Sequence, residues 1–237
     1  TGVQTCALPI CHNVPSFESV EDLRSALNSK GGPCTTDLYP RDGTTKLNQL
    51  EARFAQLARV KPEDLVLCSS GMSAVVNTLE AITQNGDTVA CAWQTYSQTG
   101  VYVAEQLIKK GIRVVFFDSG SPDDIERVIS KNKPSVIFSE TVSNGPDTPV
   151  LDAEQLLEAC EQAEIDPYIV LDNTLPLSTG YDLSPLLEKN QKVIGVESAT
   201  KSYAFNTELA GIIYSHDQTL VSKLRQHRIT KGLDRKS

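Results

Sequence analysis

The amino-acid sequence predicts an α/β fold in which a mostly parallel β-sheet carries helices on both faces. Short apolar runs alternate along the chain with longer segments of helical spacing. Turn and cap residues separate these segments, and no internal repeat interrupts the pattern. Strands that alternate with helices form βαβ units, and the connections of such units place the strands side by side and parallel.

The helices are predicted from apolar spacing and from residues that start or stop a helix. The first is expected over 46–59, where spacings of three and four residues create one apolar face: Leu47, Leu50, Phe54 and Leu57. The second opens at Ser69-Ser70-Gly71 and stops at Asn85-Gly86. Three more are expected over 99–110, from Ser121 with Pro122 at its first position, and from Asp152 to about Ala163.

The strands are predicted from apolar runs that lie between these helices. They are expected at 65–68, 88–92, 112–117, 135–139, 168–171, 193–196 and 210–214. The run from Ile112 to Phe117 is continuously β-branched and aromatic, so we expect a strand buried on both faces there.

Composition excludes several functional classes. The 237 residues carry a net charge of −8, which disfavours nucleic-acid binding because that needs a basic surface. No apolar run approaches the roughly 18 residues of a membrane helix. The six cysteines form no CxxC pair, so we expect reduced thiols in a cytoplasmic protein and no metal site.

The two ends of the sequence suggest that the chain is part of a longer product. Residues 1–10 match the translation of a sequencing adapter, and we expect them to be an artefact. We interpret 11–45 as an N-terminal arm and 46–237 as one large domain that is truncated at its C-terminus.

Polar clusters follow several of the predicted strands, at the edge of a parallel sheet where ligands bind. Ser69-Ser70-Gly71-Met72 combines a strand end with a helix N-terminus, which suits an anion, although it is also an ordinary capped helix start. Asp172-Asn173-Thr174 could pair with a cationic ring nitrogen or a metal, or simply form a turn. Lys201, after Ser198 and Thr200, could form a Schiff base or be a solvated lysine.

Two further segments complete the pattern. Glu140-Thr141-Val142-Ser143-Asn144 again follows a strand directly. Tyr39-Pro40-Arg41 precedes the first helix, and its arginine could contact a phosphate through two hydrogen bonds or could lie in an extended surface segment.

In their order and context, these clusters resemble the Cys/Met-metabolism family of pyridoxal-phosphate-dependent enzymes over about 39–211. The resemblance implies a type I aminotransferase-like fold of three layers, from which a smaller C-terminal domain is missing. It implies a lyase or transferase of sulfur amino acids, which performs β- or γ-elimination or γ-replacement. It also implies an amino-acid substrate of the cystathionine, homocysteine, methionine or O-acyl-homoserine type, and a homodimer or homotetramer with shared active sites.

The resemblance also assigns roles to individual residues. Lys201 would carry pyridoxal 5'-phosphate and act as the base, Asp172 would pair with the pyridine nitrogen, and Tyr96 would stack on the ring. The phosphate would lie against Ser70, Gly71 and Met72, with Ser198 and Thr200 adding hydroxyls. The remaining cofactor contacts would come from Asn144, Thr174, and Tyr39 and Arg41 of a neighbouring subunit.

The sequence departs from the family pattern in places that concern the substrate. Lys201 is followed by Ser202-Tyr203 instead of the common Lys-Tyr-x-x-Gly-His, and Gly145 interrupts Ser-Asn-Pro. Two alternatives therefore stay open: another type I enzyme such as an aminotransferase or decarboxylase, and a catalytically inert fragment.

Overall fold

A seven-stranded β-sheet organises the part of the chain that the computed structural model describes, residues 45–145, 147–176, 182–202 and 209–231. The spatial order of the strands is β1-β7-β6-β5-β4-β2-β3. Only β7 runs antiparallel to its neighbours β1 and β6, which confirms the mostly parallel sheet. The strands are β1 (Leu65–Cys68), β2 (Thr88–Ala92), β3 (Arg113–Phe117), β4 (Val136–Glu140), β5 (Tyr168–Asp172), β6 (Val193–Glu197) and β7 (Gly211–Tyr214).

Helices cover both faces of the sheet, as the sequence predicts. One face packs against α1 (Thr45–Leu57), α4 (Pro122–Asn132), α5 (Ala153–Gln162) and α6 (Ser184–Lys189). The other packs against α2 (Gly71–Ile82), α3 (Ser97–Val101) with its π-helical continuation (Tyr102–Leu107), and α8 (Gln218–Lys231). The one-turn helix α7 (Ala199–Ser202) follows β6, and a 3₁₀ turn (Pro62–Asp64) precedes β1.

Several local predictions are confirmed in atomic detail. Ser121 caps α4 with Pro122 in the first turn, and Asp152 caps α5 by accepting a bond from the Gln155 N–H at 3.0 Å. Gly86 and Gly111 have φ of 92° and 77°, which only glycine adopts readily.

Two predictions need correction. The strand at 112–117 begins at Arg113, and it is not buried on both faces, because β3 is an edge strand and Phe116 is 44% exposed. The predicted helix over 99–110 begins at Ser97 and contains a π-helical stretch, whose wider turn apolar spacing does not reveal. The short helices α6 and α7 were not predicted.

Tyr39 and Arg41, the proposed arm over 11–45 and the segment 1–10 lie outside the described residues, apart from Thr45. None of the helices in the described ranges combines the length and the apolar character needed to cross a bilayer.

A buried ion pair joins the two ends of the described chain. Arg228 in α8 donates to Glu51 Oε1 in α1 at 2.6 Å, and both side chains are almost fully buried. Glu51 Oε1 also accepts from the Leu67 N–H at 3.0 Å, while Arg228 donates to the Leu67 carbonyl at 3.1 Å. The pair therefore fixes α1 and α8 to β1.

We expect Arg228→Met to lower the free energy of unfolding by about 3–5 kcal/mol, because it leaves the Glu51 carboxylate buried without its cation. The matched control is Arg127→Met, since Arg127 pairs with Asp124 on an exposed helix surface. That change is expected to cost less than about 1 kcal/mol. Urea unfolding followed by circular dichroism measures both values, and equal losses would contradict the structural role of the buried pair.

Candidate active site

The carboxyl ends of three adjacent strands and the N-terminus of α2 enclose one cavity of about 290 Å³. Glu140, Asp172 and Glu197 are the last residues of β4, β5 and β6. The structure brings together at this cavity every predicted site residue within the described ranges: Ser70, Gly71, Met72, Tyr96, Asn144, Asp172, Thr174, Ser198, Thr200 and Lys201.

The N-terminus of α2 is built to receive an anion. Ser70 caps the helix: its hydroxyl accepts from the Ser73 N–H at 3.1 Å, and its own N–H donates to Ser73 Oγ at 2.8 Å. By helix geometry, the N–H groups of Gly71 and Met72 have no carbonyl one turn earlier to bond. Both residues line the cavity, so these donors and the positive helix end face the same space.

Gly71 allows α2 to approach β6 more closely than any other residue would. A Cβ at this position would lie 2.6 Å from Ser198 Cβ and 3.0 Å from Ser198 Oγ. The Ser198 hydroxyl therefore lies directly beside the first turn of α2, where it can add to the anion site.

Asp172 is half-buried and lines the cavity at the end of β5. Its Oδ1 accepts a hydrogen bond from the Thr174 N–H at 3.0 Å. Burial raises the pKa of the Asp172 carboxyl to about 6; the bonds from Thr174 oppose this, the charge of Glu140 adds to it, and Lys201 opposes it. A cation bound beside Asp172 would therefore stabilise the ionised form of its carboxyl group.

Lys201 lines the same cavity from the short helix α7. Its Nζ is 5.0 Å from the centroid of the Tyr96 ring, a cation–π distance. The adjacent Thr200 hydroxyl accepts from the Ala210 N–H at 2.9 Å, so it also anchors the residue that leads into β7. Thr174 Oγ1 accepts from the Ser198 N–H at 2.8 Å and links the ends of β5 and β6.

Glu140 has no role predicted from the sequence, although it lines the cavity and is only 3% exposed. Its carboxylate accepts four hydrogen bonds, two from the segment after β2 and two from Asn144. The signal that could have found it is the one used for Asp172, an acid placed directly after a buried strand.

Glu197, 2% exposed, is the second acid without an assigned role. Its Oε1 accepts from the Tyr214 hydroxyl at 2.5 Å and from Asn173 Nδ2 at 3.3 Å. Its Oε2 is buried and has no hydrogen-bond partner among the described residues. Burial raises the pKa of the Glu197 carboxyl to about 8, against the hydrogen bonds from Tyr214 and Asn173 and with a further rise from the charge of Asp172.

Glu197 should make the stability of the protein depend on pH. The folded state holds the Glu197 proton up to about pH 8, whereas an unfolded glutamate releases it near its ordinary pKa of 4.5. The folded chain therefore binds more protons in this window, and the stabilisation present below pH 4.5 is lost as the pH rises through 8.

We expect Glu197→Gln to remove this slope. Between pH 6 and pH 9, the wild-type free energy of unfolding should fall by about 3 kcal/mol more than that of the variant. Urea titrations at the two pH values measure the difference, with Glu158→Gln on the exposed face of α5 as the control. A Glu197→Gln variant that keeps the wild-type slope would show that this carboxyl does not titrate in the window.

Comparisons with known proteins place the chain in a family. The family model described as Cys/Met metabolism PLP-dependent enzyme matches residues 13–234. An L-methionine gamma-lyase of Fusobacterium nucleatum subsp. polymorphum is 31% identical over 200 residues, which is 83% of this chain and 47% of that protein. The chain thus spans about half the length of the curated relatives it matches.

Solved structures agree with the fold. The structure of metB from Corynebacterium glutamicum has a TM-score of 0.76 at 21% identity, covering 93% of this chain and 52% of that one. A structure described as a putative O-acetylhomoserine (thiol)-lyase from Campylobacter jejuni, which holds a pyridoxyl-lysine monophosphate, has a TM-score of 0.67 at 25% identity. It covers 88% of this chain and 48% of that chain. The strand order, the cavity at the carboxyl ends of the strands and the family match lead to one conclusion: the chain belongs to the Cys/Met metabolism family of pyridoxal-phosphate-dependent enzymes.

Proposed function

We propose that this chain forms the cofactor-binding domain of a carbon–sulfur lyase or transferase that acts on sulfur amino acids. The substrates would be of the cystathionine, homocysteine, methionine or O-acyl-homoserine type. The observation that carries the proposal is one cavity at which a helix N-terminus, a half-buried carboxylate and a lysine converge. The names of the relatives support the choice of chemistry.

The cavity fits the two ends of pyridoxal phosphate. The free N–H groups of Gly71 and Met72 and the hydroxyl of Ser198 would hold the phosphate. Asp172 would bind the protonated ring nitrogen. Tyr96 also lines the cavity, and stacking of its ring on the cofactor would contribute about 0.5–1.5 kcal/mol beyond burial. The Thr174 N–H donates a hydrogen bond to Asp172 Oδ1 and so helps to fix the carboxylate.

Lys201 would carry the cofactor and move the proton. When bound, the cofactor supplies a sink for the electron pair left on the substrate α-carbon. Among the described residues that line the cavity, Lys201 has the only amine, so its Nζ is the group that would take the α-proton. Asp172 would keep the ring nitrogen protonated while a sulfur or activated oxygen leaves the β- or γ-carbon.

We also propose assembly as a homodimer or homotetramer in the cytoplasm. The Tyr96 and Leu175 side chains line the cavity and are still 38% exposed, as expected of a site that a second copy completes. Tyr39 and Arg41 would be contributed by that copy. Cys68, Cys91 and Cys160 are free and buried, which suits a reducing compartment.

Trapping of the cofactor on one lysine tests the proposal. The purified chain is incubated with pyridoxal phosphate, reduced with borohydride and digested, and the modified lysine is identified by mass. We expect the label on Lys201 and its loss in Lys201→Ala, while Lys131→Ala, on the exposed surface of α4, stays labelled as wild type. Label scattered over surface lysines in the wild-type chain would contradict the proposal.

The same variants should separate attachment from chemistry. Lys201→Ala is expected to lower turnover by about 10²–10⁴-fold, because the base is removed. Asp172→Asn should keep the label on Lys201 but lower turnover by about 10²–10³-fold, because charge stabilisation at the ring is lost. Release of a thiol and a keto acid from cystathionine or methionine measures the lyase reaction. Amino transfer to a keto-acid acceptor in its place would favour an aminotransferase.

Gly71→Ala should weaken cofactor binding, because the added methyl group would push α2 away from Ser198. Loss of one hydrogen bond to a charged phosphate corresponds to an increase of about 10–100-fold in the dissociation constant. Gly100→Ala is the matched control, since its new methyl group would have only Thr95 Cγ2 nearby, at 3.8 Å. Fluorescence titration measures the dissociation constants of pyridoxal phosphate for both variants. Equal values would show that cofactor binding does not depend on the close contact between Gly71 and Ser198.

A further inference from the structure

Glu140 joins two segments that face the cofactor side of the cavity. Its Oε1 accepts from the Tyr96 N–H at 2.6 Å and from the Thr95 hydroxyl at 3.1 Å. Its Oε2 accepts from the Asn144 N–H at 3.0 Å and from Asn144 Nδ2 at 2.8 Å. One buried carboxylate therefore links the segment after β2 to the segment after β4.

We infer that Glu140 is a positioning residue that sets the place of Tyr96 and the orientation of the Asn144 amide toward the cofactor. The inference rests on the proposed function, in which Tyr96 stacks on the ring and Asn144 lies near its phenolic oxygen. Glu140 touches neither the cofactor nor the substrate in this role, and it acts through the two side chains that it holds.

The chemistry of the four donors requires a carboxylate at this position. Both oxygens face backbone N–H groups, which only donate, so each oxygen must accept. A carboxylate has no hydrogen to donate, so only the NH₂ end of the Asn144 side chain can bond to it. The Oδ1 atom of Asn144 therefore points away from Glu140. Two oxygens that both accept, as in a carboxylate, meet both demands at once.

An isosteric amide would reverse this arrangement. In Glu140→Gln, one oxygen becomes an NH₂ group. Placed at Oε1, that group would meet the Tyr96 N–H as donor against donor. Placed at Oε2, the NH₂ group would find an acceptor only if the Asn144 side-chain amide rotated to present its Oδ1. The Asn144 backbone N–H would then keep its bond to the Gln94 carbonyl at 3.1 Å. Either outcome changes what the cavity wall presents to the cofactor.

The experiment compares Glu140→Gln and the shorter anion Glu140→Asp with the control Glu158→Gln. Each purified chain is titrated with pyridoxal phosphate, and the dissociation constant and the visible absorption band of the bound cofactor are recorded. We expect both Glu140 variants to bind about tenfold more weakly and to shift the band, because contacts to the ring are displaced. The control should match wild type.

Trp93 provides a readout that needs no cofactor. It is the only tryptophan of the chain, it lies two residues before Thr95, and it is 54% exposed. Release of the Thr95–Tyr96 segment in the Glu140 variants should change the quenching of Trp93 fluorescence by acrylamide in the free protein. Circular dichroism verifies that each variant is folded, and if Glu140→Gln fails to fold, Glu140→Asp carries the comparison.

The outcomes separate the two proposals. Glu140 variants with wild-type affinity, absorption band and Trp93 quenching would overturn the positioning role and leave the proposed function intact. A wild-type chain that binds no cofactor on Lys201 would overturn the proposed function, and the positioning of a cofactor by Glu140 with it. Changed quenching without a change in the absorption band would show a merely structural role and would also overturn the inference.

Discussion

The close contact between the first turn of α2 and the strands β6 and β7 is the constraint on which the site depends. A Cβ at Gly71 would collide with Ser198, and one at Gly211 would lie 2.1 Å from the Ser70 carbonyl oxygen. Because β7 runs antiparallel between β1 and β6, its first residue lies at the edge where its neighbours end. The helix N-terminus is therefore held against Ser198 at the end of β6, and it lines one cavity together with Asp172 at the end of β5 and Lys201 on α7.

Acidic side chains outnumber basic ones at the site, which favours a cationic ligand. Glu140, Asp172 and Glu197 end three adjacent strands, and Lys201 is the only cation among the described residues that line the cavity. The Glu140 carboxylate accepts four hydrogen bonds. Burial raises the pKa of Asp172 to about 6 and that of Glu197 to about 8. A protonated ring beside Asp172 would offset the repulsion from Glu140, so the cofactor and the acids stabilise each other.

Local chemistry made much of the fold predictable from sequence. A helix cap such as Asp152 and a helix stop such as Gly111 act on backbone groups within a few residues along the chain. All seven strands lie within a residue or two of the predicted ranges. Long-range placement was not predictable. The apolar run at 113–117 does not reveal that β3 has a neighbour on one side only, and the exposed Phe116 is the result. For the same reason, the contacts of Glu140 with a segment 44 residues away could not be inferred from its own position.

Buried charged groups lie both in the core and beside the cavity, and their surroundings differ. In the core, the Glu51–Arg228 pair joins two opposite charges and bonds to β1 at the same time. Beside the cavity, Glu197 keeps one oxygen without a partner in the described structure, and burial raises the pKa of Asp172 to about 6. A sequence selected for stability alone would replace such acids, because an unpaired buried polar group is costly. The acids that end β5 and β6 are therefore costly where they lie, whereas the buried Glu51–Arg228 pair offsets part of its cost through its bonds to β1.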